Sequence, residues 1–234
     1  MAESPEAASQ PLAVAGVPSA HHVVVLAAVF VAGAALMAVE LTGARIVAVT
    51  FGSTIFVWGS TVGIFMASLS VGYYVGGRWA DRAPRVRVLG GLTVLAGLAT
   101  VPVPLLGYGL SAFVGRTVFP DSPVFSSAVN PILVMVVLFL PCGALMGALS
   151  PFAVRILARK VEGLGRVAGK VYGASALGSI AGALVVVFFL MSVLPNRAIL
   201  FGAAACLVAA GIVALCTPEA GPAPEAEPRS PSAE

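Results

Sequence analysis

Residues 23–49 read VVVLAAVFVAGAALMAVELTGARIVAV, an apolar run interrupted by one acid, Glu40, and one base, Arg45. About 20 mostly apolar residues in a helix cross the hydrocarbon core of a bilayer, and this run exceeds that length. It therefore reads as a transmembrane helix with a carboxylate inside it. A charged side chain at the centre of such a helix costs about 2.5–3.5 kcal/mol on insertion scales. Something must offset that cost: a polar partner, a water-filled cavity, protonation or a cationic ligand.

The rest of the chain repeats the pattern. Its 234 residues are 59% hydrophobic and 10% charged, with a mean hydropathy of +1.02. Soluble domains are about 45–50% apolar and about 25% charged, so the composition excludes one. Six apolar segments are long enough to span: about Val23–Ala44, Ile55–Gly76, Val88–Leu110, Pro131–Leu149, Val171–Leu194 and Ala198–Cys216. The expected domain organisation is a disordered lead over 1–21, a transmembrane domain over 22–216, and a disordered Pro, Ala and Glu-rich tail over 217–234. Residues 1–20 hold no Lys or Arg, so they lack the basic start of a signal peptide.

Charge placement sets the expected orientation. Arg78, Arg82, Arg85 and Arg87 follow the second segment; Arg155, Arg159, Lys160, Arg166 and Lys170 follow the fourth. These two loops carry nine of the thirteen basic residues. The positive-inside rule makes both loops cytoplasmic, and six spans then put both termini on the same side. The expected location is the cell (inner) membrane, crossed several times, with the lipid bilayer as the first partner. Membrane orientation accounts for the basic charge, so no nucleic-acid partner is expected.

Several features carry bland readings. Cys142, Cys206 and Cys216 lie in or at the end of apolar helices without a CxxC or a companion His, as buried small hydrophobes do. No metal and no cofactor is expected. His21 and His22 suit an interfacial anchor at the mouth of the first helix. Small residues recur every four positions at Gly59, Gly63 and Ala67, and again at Ala174, Gly178 and Gly182 beside Ser175, Ser179 and Ala183. That spacing aligns them on one face for close helix packing. Pro102, Pro104 and Pro141 predict kinks or breaks. Trp58 suits the outer aromatic belt, with Trp79 and Tyr73–Tyr74 in the inner one. The apolar connection 111–130 is expected to lie against the outer surface of the bundle, with Asn130 capping the fourth helix and Pro131 at its first position.

Two constellations carry chemistry. Glu40 shares its helix face with Gly33, Leu36, Met37, Gly43 and Ala44, and the small residues predict a neighbouring helix there. Arg45 lies about 140° round the helix and is not its natural partner. Glu40 is either a packed, hydrogen-bonded or protonated residue, or a site for a cation or proton. The second constellation is the loop Gly76-Gly77-Arg78-Trp79-Ala80-Asp81-Arg82-Ala83-Pro84-Arg85-Val86-Arg87. Its bland reading is a topology signal. Asp81 can also cap the next segment, or pair with an arginine of a neighbouring helix and lock the two together.

The series Gly77-x-x-Ala80-Asp81-Arg82-x-x-Arg85-x-Arg87 resembles the signature loop of the major facilitator superfamily, which also lies between the second and third helices. More of the chain resembles the membrane domain of fused facilitator-like/spermidine synthase proteins. The residues are Glu40-Leu41-Thr42-Gly43-Ala44-Arg45, Phe51-Gly52-Ser53, Val57-Trp58-Gly59, the GGRWADR loop, and Gly165-Arg166-Val167-Ala168-Gly169-x-x-Tyr172-x-x-Ser175-x-x-Gly178-Ser179. The resemblance implies an all-α bundle of six transmembrane helices, half of a facilitator. In those relatives a Rossmann-type aminopropyltransferase-like domain follows the membrane part. Here the sequence ends at Glu234 with no Gly-rich nucleotide loop after a strand, so this chain alone is not expected to be an enzyme. Three functions follow. It is a membrane subunit that holds a separate cytoplasmic spermidine-synthase-like protein through Arg78–Arg87, Arg155–Lys170 or the tail. Or it is a polyamine or cation transporter-like protein, acting as a homodimer with Glu40 in the pathway. Or it is a structural subunit of a larger membrane complex.

Overall fold

The structure is a computed structural model and describes residues 19–119, 121–158 and 163–218. The expected lead and tail fall almost entirely outside that range, and so do Arg159 and Lys160. The described residues are mostly helical, without a strand: α1 (Ser19–Phe51), α2 (Ile55–Arg82), α3 (Val86–Thr100), α4 (Pro102–Thr117), α5 (Pro123–Leu157), α6 (Leu164–Val185), a π-helical turn (Val186–Leu190), α7 (Met191–Val193) and α8 (Asn196–Cys216). They make six helices long and apolar enough to cross a membrane, from His21–Phe51 to Asn196–Cys216. The protein is thus an all-α, multi-pass membrane protein in contact with lipid. The third span is α3 and α4 in series, and the fifth is α6, the π-turn and α7.

Local sequence explains the breaks. Pro102 and Pro104 lack the N–H that a continuous helix needs. The chain therefore steps at Val101, whose N–H bonds back to Leu98 O at 3.1 Å. Pro131, Pro141 and Pro151 all lie inside α5, which runs unbroken around them. At the end of α1, Gly52 takes φ +79° and its N–H closes on Ala48 O at 2.8 Å. That left-handed cap suits glycine and returns the chain within a few residues. Thr54 then caps α2 by accepting from the Val57 N–H.

The connection between the third and fourth spans departs from expectation. Helices α4 and α5 extend to Thr117 and from Pro123, so residues 118–122 alone bridge them. Asn130 is not a helix cap for α5. It is buried about two turns inside, where its Nδ2 donates to Val118 O at 2.8 Å and Val114 O at 3.4 Å. It thus satisfies the Val118 carbonyl just past the end of α4 and shares Val114 O with the Val118 N–H, and most of the apolar residues of this segment extend the two helices.

Packing follows a regular scheme. The second span pairs with the fourth, the first with the fifth and the third with the sixth; the first also meets the sixth and fourth, and the third meets the fourth. The first span also packs on the third, a contact with no counterpart of similar extent between the fourth and sixth, so exchanging the first three spans with the last three preserves the main pairs but not the whole scheme.

Lipid tails are as apolar as leucine, so close van der Waals fit rather than hydrophobic burial decides which helix faces meet. Glycines mark those faces. Gly178 lies on the Phe30 carbonyl and Gly182 on Ala34, and Ser179 Oγ donates to Gly33 O at 3.3 Å. The expected small-residue face of the fifth span is therefore its seat on α1. On α2 the packed face is Ser68, Gly72, Gly76 and Ala80, with Gly72 and Gly76 against Ala144 and Ala148. Gly59 and Gly63, expected to pack, have no neighbour within 4 Å among the described residues. Phe65 and Phe139 pack tilted at 5.6 Å in the α2–α5 seam.

Buried hydroxyls satisfy themselves within their own helices, as a bilayer requires. Thr61, Thr93, Thr100 and Ser111 each donate to the carbonyl four residues back, at 2.7–2.9 Å. Thr42 departs from this: its hydroxyl is fully buried with no partner among the described residues.

Candidate functional site

Glu40 lies on α1 eleven residues before Phe51, about 16 Å from that helix end at ~1.5 Å per residue. Its surroundings follow from the residues on either side of its face. Gly33 meets Ser175 and Ser179 of α6, whereas Gly43 meets the Phe139 ring of α5. Glu40 stands on the strip of α1 between those two seams, partly buried. The expectation that this face meets other helices holds. The carboxylate itself makes no hydrogen bond or ion pair with the described residues, so none of them offsets its burial. Among the described residues no three His, Cys, Asp or Glu side chains gather at metal-binding distance.

The GGRWADR loop is mostly helix. Residues Gly76 to Arg82 form the last turns of α2, and only Ala83 to Arg85 are non-helical. Asp81 does not cap α3, whose cap position is Arg85 without a side-chain bond. It pairs instead with Arg155 near the end of α5, the guanidinium Nε donating to Oδ1 at 3.1 Å. This is the cross-helix pairing anticipated for Asp81. Trp79 adds an edge contact to Phe152 at 6.0 Å, so both links join α2 to α5 at the same end. Arg78 stacks over Tyr74 at 4.0 Å.

The pair is solvent-exposed, Arg155 at 51% and Asp81 at 72%. Exposed pairs contribute about 0–1 kcal/mol. Asp81→Asn is expected to lower Tm in detergent by no more than about 4 °C, and Arg85→Gln by less. A charge swap, Asp81→Arg with Arg155→Asp, should recover part of the loss. Equal and negligible effects at Asp81 and Arg85 reduce the loop to a topology signal.

The remaining basic residues separate. Arg155 is engaged by Asp81, whereas Arg82, Arg85, Arg166 and Lys170 are exposed at the same end of the bundle. Both ends of the described chain meet there too: the buried His21 ring contacts the Pro218 carbonyl. His21 is thus enclosed by the chain rather than free at the interface.

The second and fifth spans are the least buried. In their most apolar stretches 33% and 17% of residues are buried, against 50% and 56% in the first and fourth. The exposed α2 glycines Gly59 and Gly63 lie towards the end of the bundle opposite the basic loops, as do Arg45 and Trp58. No protein-family model, curated relative or solved structure matches the chain.

Proposed function

We propose that the chain is half of a facilitator-like carrier for polyamines or related organic cations, working as two copies, with Glu40 receiving the cationic amine. The observation that carries this reading is the unpartnered Glu40 carboxylate on the first span, between the seams to the fourth and fifth. A buried acid without a protein partner is what a cationic substrate can complete. The exposed small residues of the second span, Gly59 and Gly63, support a second copy. Carrier sites commonly lie near the midplane between repeats. Gly63→Leu is the direct probe of that face: it should leave each bundle folded and shift dimer to monomer in mild detergent.

A second reading is a membrane subunit that holds a separate spermidine-synthase-like protein at the cytoplasmic face. The exposed Arg82, Arg85, Arg166 and Lys170 favour it, because they cluster at one end without acidic partners among the described residues. Purification in mild detergent separates the two. A self-associated chain stabilised by spermidine supports the carrier. A co-purifying soluble transferase that is lost on Arg166→Glu with Lys170→Glu supports the anchor.

Both readings place the basic end in the cytoplasm of an inner-membrane protein. In a background lacking Cys142, Cys206 and Cys216, a cysteine at Ser122 should react with an impermeant maleimide added outside cells. A cysteine at Arg85 should not. The reverse pattern removes the docking surface and inverts the carrier.

A further inference from the structure

Arg45 is charged, exposed and without a partner among the described residues, and it lines a cavity of about 310 Å³ at the end of the bundle opposite the basic loops. The cavity lies between the first, second and fifth spans. Arg45, Ser53 and Trp58 form its polar part, and Leu41, Val57 and Met191 are among its apolar walls. The tight turn at Gly52 places Ser53 and the start of α2 beside the last turns of α1. Arg45 is the one charged residue in that lining. Glu40 does not neutralise it, being about 140° away round α1.

Depth narrows the ligand. Arg45 is six residues before Phe51, about 9 Å from the helix end at ~1.5 Å per residue, which suits headgroup level rather than mid-bilayer. An arginine there, with Trp58 beside it, presents planar donors suited to phosphate oxygens. The apolar walls suit a hydrocarbon chain attached to that phosphate.

We infer that this cavity binds a phosphate group through Arg45, with an anionic phospholipid headgroup as its favoured source and free phosphate as the other. Arg45 supplies the charge, Ser53 a hydroxyl donor, and Leu41, Val57 and Met191 the surface for the first part of an acyl chain. The site is separate from Glu40 and faces a different direction, so it stands whether or not the protein carries cations.

The test uses full-length protein freed of lipid in mild detergent. Thermal unfolding is followed while phosphatidylglycerol, phosphatidylcholine or inorganic phosphate is added. Phosphatidylglycerol is expected to raise Tm by about 5 °C at saturation, with phosphatidylcholine giving less than half of that. Arg45→Gln should move the phosphatidylglycerol midpoint up by at least about fivefold, the effect of one interfacial cation on an anionic lipid. Ala48→Leu keeps the charge and fills part of the cavity wall. It should weaken the response similarly, and it decides the matter if Arg45→Gln does not fold. An Arg45-dependent shift with inorganic phosphate alone keeps the site and assigns its source to soluble phosphate. Equal phosphatidylglycerol midpoints in the parent and Ala48→Leu, or in the parent and a folded Arg45→Gln, overturn the proposal.

Discussion

Gly178→Leu is expected to unseat α6 from α1 and lower Tm by about 2–12 °C. The reason is backbone contact. A Cβ at Gly178 would fall on the Phe30 carbonyl oxygen and 2.8 Å from its carbon, and one at Gly182 would lie 2.6 Å from Ala34 Cα. Neither neighbour can rotate aside, because each belongs to a helix backbone. The helices must separate, and with them goes the hydrogen bond from Ser179 to the Gly33 carbonyl. Overpacking of this kind costs about 1–3 kcal/mol, and each kcal/mol shifts Tm by about 2–4 °C in a chain of this size. Gly63→Leu enters open space in the single chain and is expected to leave the Tm of the monomer within about 1 °C. If both substitutions destabilise equally, close packing at Gly178 is not what holds the fifth span in place.

Glu40→Gln is expected to keep the fold and lose the ligand. Glutamine has the same shape and removes a charge that no described residue offsets, so insertion should improve rather than suffer. Tm should stay level or rise by a few degrees. Hydrogen bonds to charged groups contribute about 1.5–3 kcal/mol, which corresponds to roughly 10–150-fold in affinity. Stabilisation by spermidine or putrescine should therefore need at least about tenfold more ligand in the variant. A neutral diol of similar length should act on neither protein. Identical polyamine responses in parent and variant assign Glu40 to structure alone.

The sequence disclosed the class and the number of spans, because apolarity at membrane length has no other common meaning. It was weaker wherever lipid and protein are interchangeable neighbours. Gly59, Gly63 and Ala67 have the same four-residue spacing as Ser68, Gly72 and Gly76, yet α5 meets the second set. Spacing shows that a face is smooth, not what lies against it. Phe113, Phe119 and Phe125 made residues 111–130 look like a loop pressed on the bundle. Phe113 and Phe125 ride on helices that run past the expected ends, Phe119 sits in the short bridge between them, and the prolines of α5 did not stop it. Asn130 shows the same limit: an Asn before a Pro has the form of a cap, but its amide serves the end of another helix. Asp81 was legible as a link to a neighbouring helix; its partner was not, since Arg155 lies 74 positions away and read equally well as a docking residue. Glu40 was legible because an intramembrane acid is conspicuous. The cavity at Arg45 was not, because a turn and two other spans build it.

The measurement closest to the central claim is uptake of radiolabelled spermidine and putrescine into liposomes carrying the purified protein. The parent should give saturable uptake well above protein-free liposomes, and Glu40→Gln, inserted to the same level, should fall at least about tenfold below it. Uptake no faster than in protein-free liposomes, or equal uptake by the parent and Glu40→Gln, would contradict a carrier that uses Glu40.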